Sequence, residues 1–380
     1  MIGPAFARYE ETLAGLRRRA RIRALLPVQG VDFTSNDYLG LANSGRLKAA
    51  ISSAIERGVP TGAGGSRLLR GNHEEHEALE AEAASFFGVE KAIYFGSGYA
   101  ANAALFSTLP QRGDLIVYDS LIHASAHEGI SASKAETVAV RHNDVEAFDQ
   151  AIRIWRHAGG KGHPWIAVES LYSMDGDRAP VSELAKLADQ HDGFLVVDEA
   201  HASGIFGPQG RGFTADLENR VNLLALHTCG KALGVSGALL GLPTVLAAYL
   251  VNRARSFIYS TAPSPLIAAG VREALRMLSD EPERRARLEE LRRYADGQLR
   301  SRLGMIPSGS QILPVIIGDN ARALKIAERM RVAGFDIRAI RPPTVPEGTA
   351  RLRISVTLNV DERQIATMFD RLATAIAEEG

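Results

Sequence analysis

Lys231 stands in the stretch Thr228-Cys229-Gly230-Lys231-Ala232-Leu233-Gly234, downstream of Asp198 in FLVVDEAH. An apolar run closed by Asp-Glu-Ala-His reads as a buried parallel strand that delivers a carboxylate at its C-terminal end. Open α/β sheets bind ligands at that edge. Lys231, framed by Cys, Gly and Ala, is sterically open, so its amine can approach a flat ligand. An amine for a Schiff base and an acid that keeps a pyridine nitrogen protonated are what pyridoxal phosphate needs from a protein. Each half also has a plainer reading. A strand ending in Asp-Glu can cap the next helix or bind magnesium, and Gly-Lys can belong to a phosphate loop. The phosphate-loop pattern requires Gly at 225 and Ser or Thr at 232, where the chain has Ala225 and Ala232.

Further residues could serve the same chemistry. Gly96-Ser97-Gly98-Tyr99 follows the apolar run AIYF and opens a helical pattern. Glycines let backbone close on an anion, and free N–H groups at a helix start hold phosphate. A plain tight turn is the alternative. His123, among small residues in HASAH, could lie flat on an aromatic ligand or be structural. His73 and His76 lack the zinc-protease spacing, because Glu77 occupies the second histidine position, so a solvated helix face is expected there. Cys229 reads as a small buried residue, since no base pairs with it. The glycine-rich stretch from Gly62 to Gly71 follows no strand and lacks the dinucleotide pattern.

These residues need a scaffold, and the chain has the length for one. Its 380 residues suit a large core and two domains. Seven short apolar runs (AIYF, LIVYD, TVAVR, WIAVES, FLVVDEAH, NLLALHT and GALLG) alternate with helical patterns. That alternation predicts an α/β fold with a doubly wound, mostly parallel seven-stranded sheet flanked by helices. After Pro263 and Pro265 comes a charged helical stretch, then ILPVIIG, ARALKIAERMRVAGF, DIRAI, RLRISVTL and a last helix from Asp361. This second pattern predicts a small α+β carboxyl-terminal domain. The boundaries are set at 1–44 for an amino-terminal helical segment and strand, 45–270 for the large domain and 271–380 for the small one.

Lys plus Arg and Asp plus Glu number 44 each, so no global charge draws the chain to nucleic acid or a membrane surface. The basic run LRRRARIR reads as the solvated side of a helix, with Ala14, Leu16, Ala20, Ile22 and Leu25 as its apolar positions. One cysteine excludes an internal disulfide and fits a reducing cytosol. With no signal-peptide core and no apolar run of about 18 residues, a cytoplasmic, non-spanning enzyme is expected.

SNDYLGL (35–41), GGSRLLRG, SGYAAN, HAS at His123, SMDGD (173–177), VDEAH and TCGKALGVSGA occur in that order. In these segments the chain resembles the α-oxoamine synthases, pyridoxal-phosphate enzymes of the aspartate-aminotransferase-like fold (fold type I). The resemblance runs from about Asp32 to near the carboxyl end. It implies Lys231 as the covalent anchor and acid/base, Asp198 as partner of the pyridinium nitrogen, and His123 as the ring-stacking residue. His201 and Ser173 would contact the phenolic oxygen region, while Gly98, Tyr99 and Thr228 would hold the phosphate. Relatives place the active site at a homodimer interface, where Ser260 and Thr261 would reach the partner's phosphate. Arg341 would clamp the amino-acid carboxylate, with Asn36, Thr344 and Arg23 lining the substrate pocket. The phrase AIRPPTVPEGTARLRIS (339–355) is similar to that of members that condense L-alanine with a pimeloyl thioester at the start of biotin ring assembly. The carrier, coenzyme A or acyl carrier protein, stays open. Glycine-using siblings (glycine C-acetyltransferase, 5-aminolevulinate synthase) and a non-catalytic protein on the same fold are the alternatives.

Overall fold

The computed structural model describes residues 4–218 and 220–379. After the short β1 (Val31–Asp32) come seven strands that form one sheet. They are β2 (Lys91–Phe95), β3 (Leu115–Asp119), β4 (Glu136–Val140), β5 (Pro164–Glu169), β6 (Phe194–Asp198), β7 (Leu223–Thr228) and β8 (Ala238–Leu242). Their order in space is β2-β8-β7-β6-β5-β3-β4. β8 pairs antiparallel with β2 and β7, and the other six strands run one way. All seven apolar runs of the sequence are therefore strands of this sheet.

Side-chain alternation along the strands builds two cores. Ile116, Trp165, Ala167, Val196 and Leu226 join Leu105, Phe106 and Ile130 of helices 98–108 and 124–131. Leu115, Val117, Ile166, Val168, Leu195 and Val197 join Phe148, Ile152, Leu184 and Leu187 of helices 145–157 and 181–190 on the opposite face. A strand covered on both faces has no polar side, which is why these runs read as continuous hydrophobes. Each large side chain so buried contributes about 1.5–3 kcal/mol.

The chain forms two compact units, one of Leu39–Ser173 with Asp177–Arg285 and one of Met1–Tyr38, Met174–Gly176 and Ala286–Gly380. The first holds the seven-stranded sheet. In the second, β9 (Ile312–Gly318), β10 (Phe335–Asp336), β11 (Arg338–Ile340) and β12 (Ala350–Ser355) accompany helices 320–332 and 362–378. β11, β12 and β9 make an antiparallel sheet in that order. Val31 and Asp32 pair in parallel with Phe335 and Asp336, so amino-terminal residues join the unit built by the carboxyl-terminal ones.

Two local expectations are corrected. The first helix spans Ala7–Arg18 and does not continue through Ile22, because Ala20 takes φ +52°, a left-handed conformation that ends it. His73 and His76 do not lie on a solvated helix face. His73 caps helix 74–87 by accepting the Glu75 N–H, and His76 is fully buried, its Nε2 2.8 Å from the Pro263 carbonyl oxygen.

Candidate active site

The parallel strands deliver their last residues to one edge of the sheet. β6 ends at Asp198, β5 at Glu169 and β7 at Thr228, three residues before Lys231. Asp198 shares its face with Val196, the face covered by helix 98–108. From that helix Asn102 Nδ2 donates to Asp198 Oδ2 at 2.8 Å and to Ser125 Oγ at 2.9 Å. The Ala200 N–H donates to Asp198 Oδ1 at 3.0 Å. Both carboxylate oxygens thus have donors, which stabilises negative charge at a position 7% exposed.

The same chain of contacts reaches His123, the N-cap of helix 124–131. Its Nδ1 accepts the Ser125 N–H at 3.2 Å and lies 2.7 Å from Ser125 Oγ. With Ser125 Oγ accepting from Asn102, the Ser125 hydroxyl hydrogen is left for Nδ1, and the imidazole proton belongs on Nε2. Burial foremost holds His123 below the usual imidazole range, with Lys231 and His127 adding to the effect against the opposing pull of Asp198. A neutral, oriented ring results, suited to lie against an aromatic ligand.

At the start of helix 98–108, Ser97 caps by accepting the Ala100 N–H at 3.1 Å. A Cβ built on Gly98 would lie 3.8 Å from Thr228 Oγ1, and one on Gly230 would lie 3.9 Å from it. A Cβ built on Gly96 would meet nothing within 4 Å. No close contact thus fills the side-chain direction of these three glycines beside the helix start, whose first N–H groups lack intrahelical partners. This fits a phosphate, and with Lys231, Asp198 and His123 in the same unit the residues fit pyridoxal phosphate. Ser173 is buried and its N–H donates to Glu169 Oε2 at 3.1 Å, His201 is buried just past β6, and Tyr99, Ser260 and Thr261 are exposed.

The four candidates for substrate contact belong to the other unit. Arg23 Nη2 donates to Thr344 Oγ1 at 3.2 Å, and Arg341 Nη1 donates to the carbonyl oxygens of Ala20 and Ile22 at 2.6 and 3.3 Å. Arg23 and Arg341 line a cavity of about 760 Å³ with Ile22, Asp32, Ser35 and Arg338. Asn36, next in the chain to Ser35, accepts through Oδ1 from Tyr38 Oη at 2.8 Å and from Arg353 Nη2 at 3.0 Å. Asn102 and Ser125 were not among the expected site residues. The signal for Asn102 was its place four residues after Gly98, on the same side of one helix.

A carboxylate, a lysine and a glycine-flanked helix start at one edge of a seven-stranded, mostly parallel sheet define a fold-type I pyridoxal-phosphate transferase. A profile of the aminotransferase class I and II family matches residues 28–372, and the chain belongs to that family. Within it, a protein of Methylobacterium nodulans named 8-amino-7-oxononanoate synthase is 41% identical, over 97% of this chain and 93% of the relative. One of the same name from Anaeromyxobacter dehalogenans is 40% identical over 96% and 93%. Among solved structures, a lysine-to-alanine variant of serine palmitoyltransferase from S. paucimobilis with a bound PLP–myriocin aldimine matches with a TM-score of 0.89 at 26% identity, covering 99% of this chain and 98% of that one.

Proposed function

We propose that this enzyme condenses L-alanine with a pimeloyl thioester to give 8-amino-7-oxononanoate, carbon dioxide and the free carrier thiol, opening biotin ring assembly. The observation that carries this reading is identity of about 40% to 8-amino-7-oxononanoate synthases over nearly the whole chain. The fold likeness to serine palmitoyltransferase, at 26% identity, speaks to shared architecture and cofactor rather than to substrate.

Gly98, Tyr99 and Thr228 would hold the phosphate of pyridoxal phosphate, Ser173 and His201 its phenolic oxygen, and His123 one face of its ring. When bound, this cofactor supplies a conjugated electron sink for charge developing at the amino-acid Cα. Asp198, which accepts from Asn102 and the Ala200 N–H, would face the ring nitrogen and stabilise its proton. Lys231 would anchor the cofactor through its amine, then take the Cα proton of alanine and later return one. Arg341, Arg23, Asn36 and Thr344 would bind the substrates' carboxylates and polar groups, for which a guanidinium offers two parallel donors. The enzyme would act as a cytoplasmic homodimer, with Ser260 and Thr261 of each chain reaching the partner's phosphate.

A substrate panel tests the reading. Alanine and glycine are each offered with acetyl, succinyl and pimeloyl thioesters, the last on both coenzyme A and acyl carrier protein. Alanine with a pimeloyl thioester should give the highest kcat/KM. Preference for glycine with a short acyl thioester would overturn the substrate assignment and leave the cofactor site standing.

A further inference from the structure

Glu169 has no part in the roles above, yet it ends β5 directly beside Asp198. The two residues are register partners on adjacent parallel strands, which places their backbones about 4.8 Å apart. Their parity with Ala167 and Val196 turns both side chains to the face covered by helix 98–108. Glu169 is 2% exposed and Asp198 7%. Two carboxyl groups this close and this dry do not both stay ionised, and one keeps its proton.

The donors decide which. Asp198 receives one on each oxygen, from Asn102 and from the Ala200 N–H. Glu169 receives the Ser173 N–H on Oε2 at 3.1 Å, while Oε1 is buried with no hydrogen-bond partner among the described residues. With one donor against the two that Asp198 receives, Glu169 is the member of the pair whose charge is less well stabilised. The other charges that reach Glu169 are Lys231, which favours ionisation, and Asp119, which opposes it. Burial, the largest influence, drives the carboxyl well above its usual range, in the direction the donor count indicates.

We infer that Glu169 is a neutral carboxylic acid in the working enzyme, and that it serves as a positioning residue leaving Asp198 the single negative charge of this pair. The inference rests on Asp198 facing the ring nitrogen. An ionised Glu169 would add a second, misplaced charge beside the amine of Lys231, which a neutral acid avoids.

Infrared difference spectra of the holoenzyme, wild type minus Glu169→Gln at neutral pH in H₂O and D₂O, test the protonation state. The expected difference contains the C=O stretch of a protonated carboxyl, lowered in D₂O. Glu199, a second buried acid pushed upward, is common to both proteins and cancels. Glu169→Gln, a neutral mimic of the acid, should also retain at least about tenfold more of the alanine Cα–deuterium exchange rate than Glu169→Ala, a gap corresponding to about 1.4 kcal/mol. Carboxylate stretches in place of the protonated band, or equal losses in the two variants, would overturn the inference. The wild-type cofactor absorbance is read separately, so failure of the cofactor assignment is distinguishable from failure of the proton assignment.

Discussion

Asp198 accepts one donor on each carboxylate oxygen, from Asn102 and from the Ala200 N–H. Asn102 spends both amide hydrogens in the network, one on Asp198 and one on Ser125, and through Ser125 it sets the tautomer of His123. Removing the charge while keeping the shape isolates its contribution. Asp198→Asn should still bind the cofactor but slow alanine Cα–deuterium exchange on the order of a hundredfold or more, as for loss of a principal electrostatic element. Exchange at a near-normal rate would show that another group faces the ring nitrogen. At this scale Lys231, Asp198 and His123 were legible as candidates because each lies at, or a few residues past, the end of a strand in a distinctive local sequence. Asn102 and Ser125 were not, because their role depends on two helices packing on one face of the sheet.

The strands carry a second polar network at the end of β3. His142 lies 2.9 Å from Asp119 through Nδ1 and 2.7 Å from Asp177 through Nε2. Burial opposes its charge, but the hydrogen bonds to Asp119 and Asp177 outweigh burial and raise it to about 10. A raised folded-state value stabilises fully below the ordinary imidazole range near pH 6.5 and is lost as pH rises to about 10. Urea unfolding followed from pH 6 to 10 should therefore show stability falling across that window, with the slope reduced in His142→Gln; equal slopes would contradict the assignment. The strands themselves were readable because both faces are covered, so each is a short apolar run between turn residues. The reversed direction of β8 was not readable, since GALLG carries no mark of orientation and only pairing with β2 and β7 reveals it. The end of the first helix at Arg18 was also hidden, because Arg19 and Ala20 are not helix breakers by type.

For the molecule as a whole, the proposal of a homodimer with shared sites makes Ser260 and Thr261 residues of the partner's site, and both are exposed in the single chain. Complementation tests it. A chain with Lys231→Ala and a chain with Ser260→Ala and Thr261→Ala should each be weakly active alone. Mixed and reassociated, they should recover activity, because one site per mixed dimer then has an intact lysine and an intact pair of partner hydroxyls. Recovery no greater than the sum of the separate proteins would mean that each chain serves its own phosphate. Among the described residues no helix is long and apolar enough to cross a membrane.

The amine of Lys231 would carry the cofactor at the edge of the sheet where Asp198 and the start of helix 98–108 would meet it. Borohydride reduction of the purified protein, followed by digestion and peptide mapping, tests it most directly. A pyridoxyl group is expected on the peptide containing Thr228-Cys229-Gly230-Lys231, on the lysine itself. Label on another lysine, or no label in protein that retains the cofactor, would contradict it.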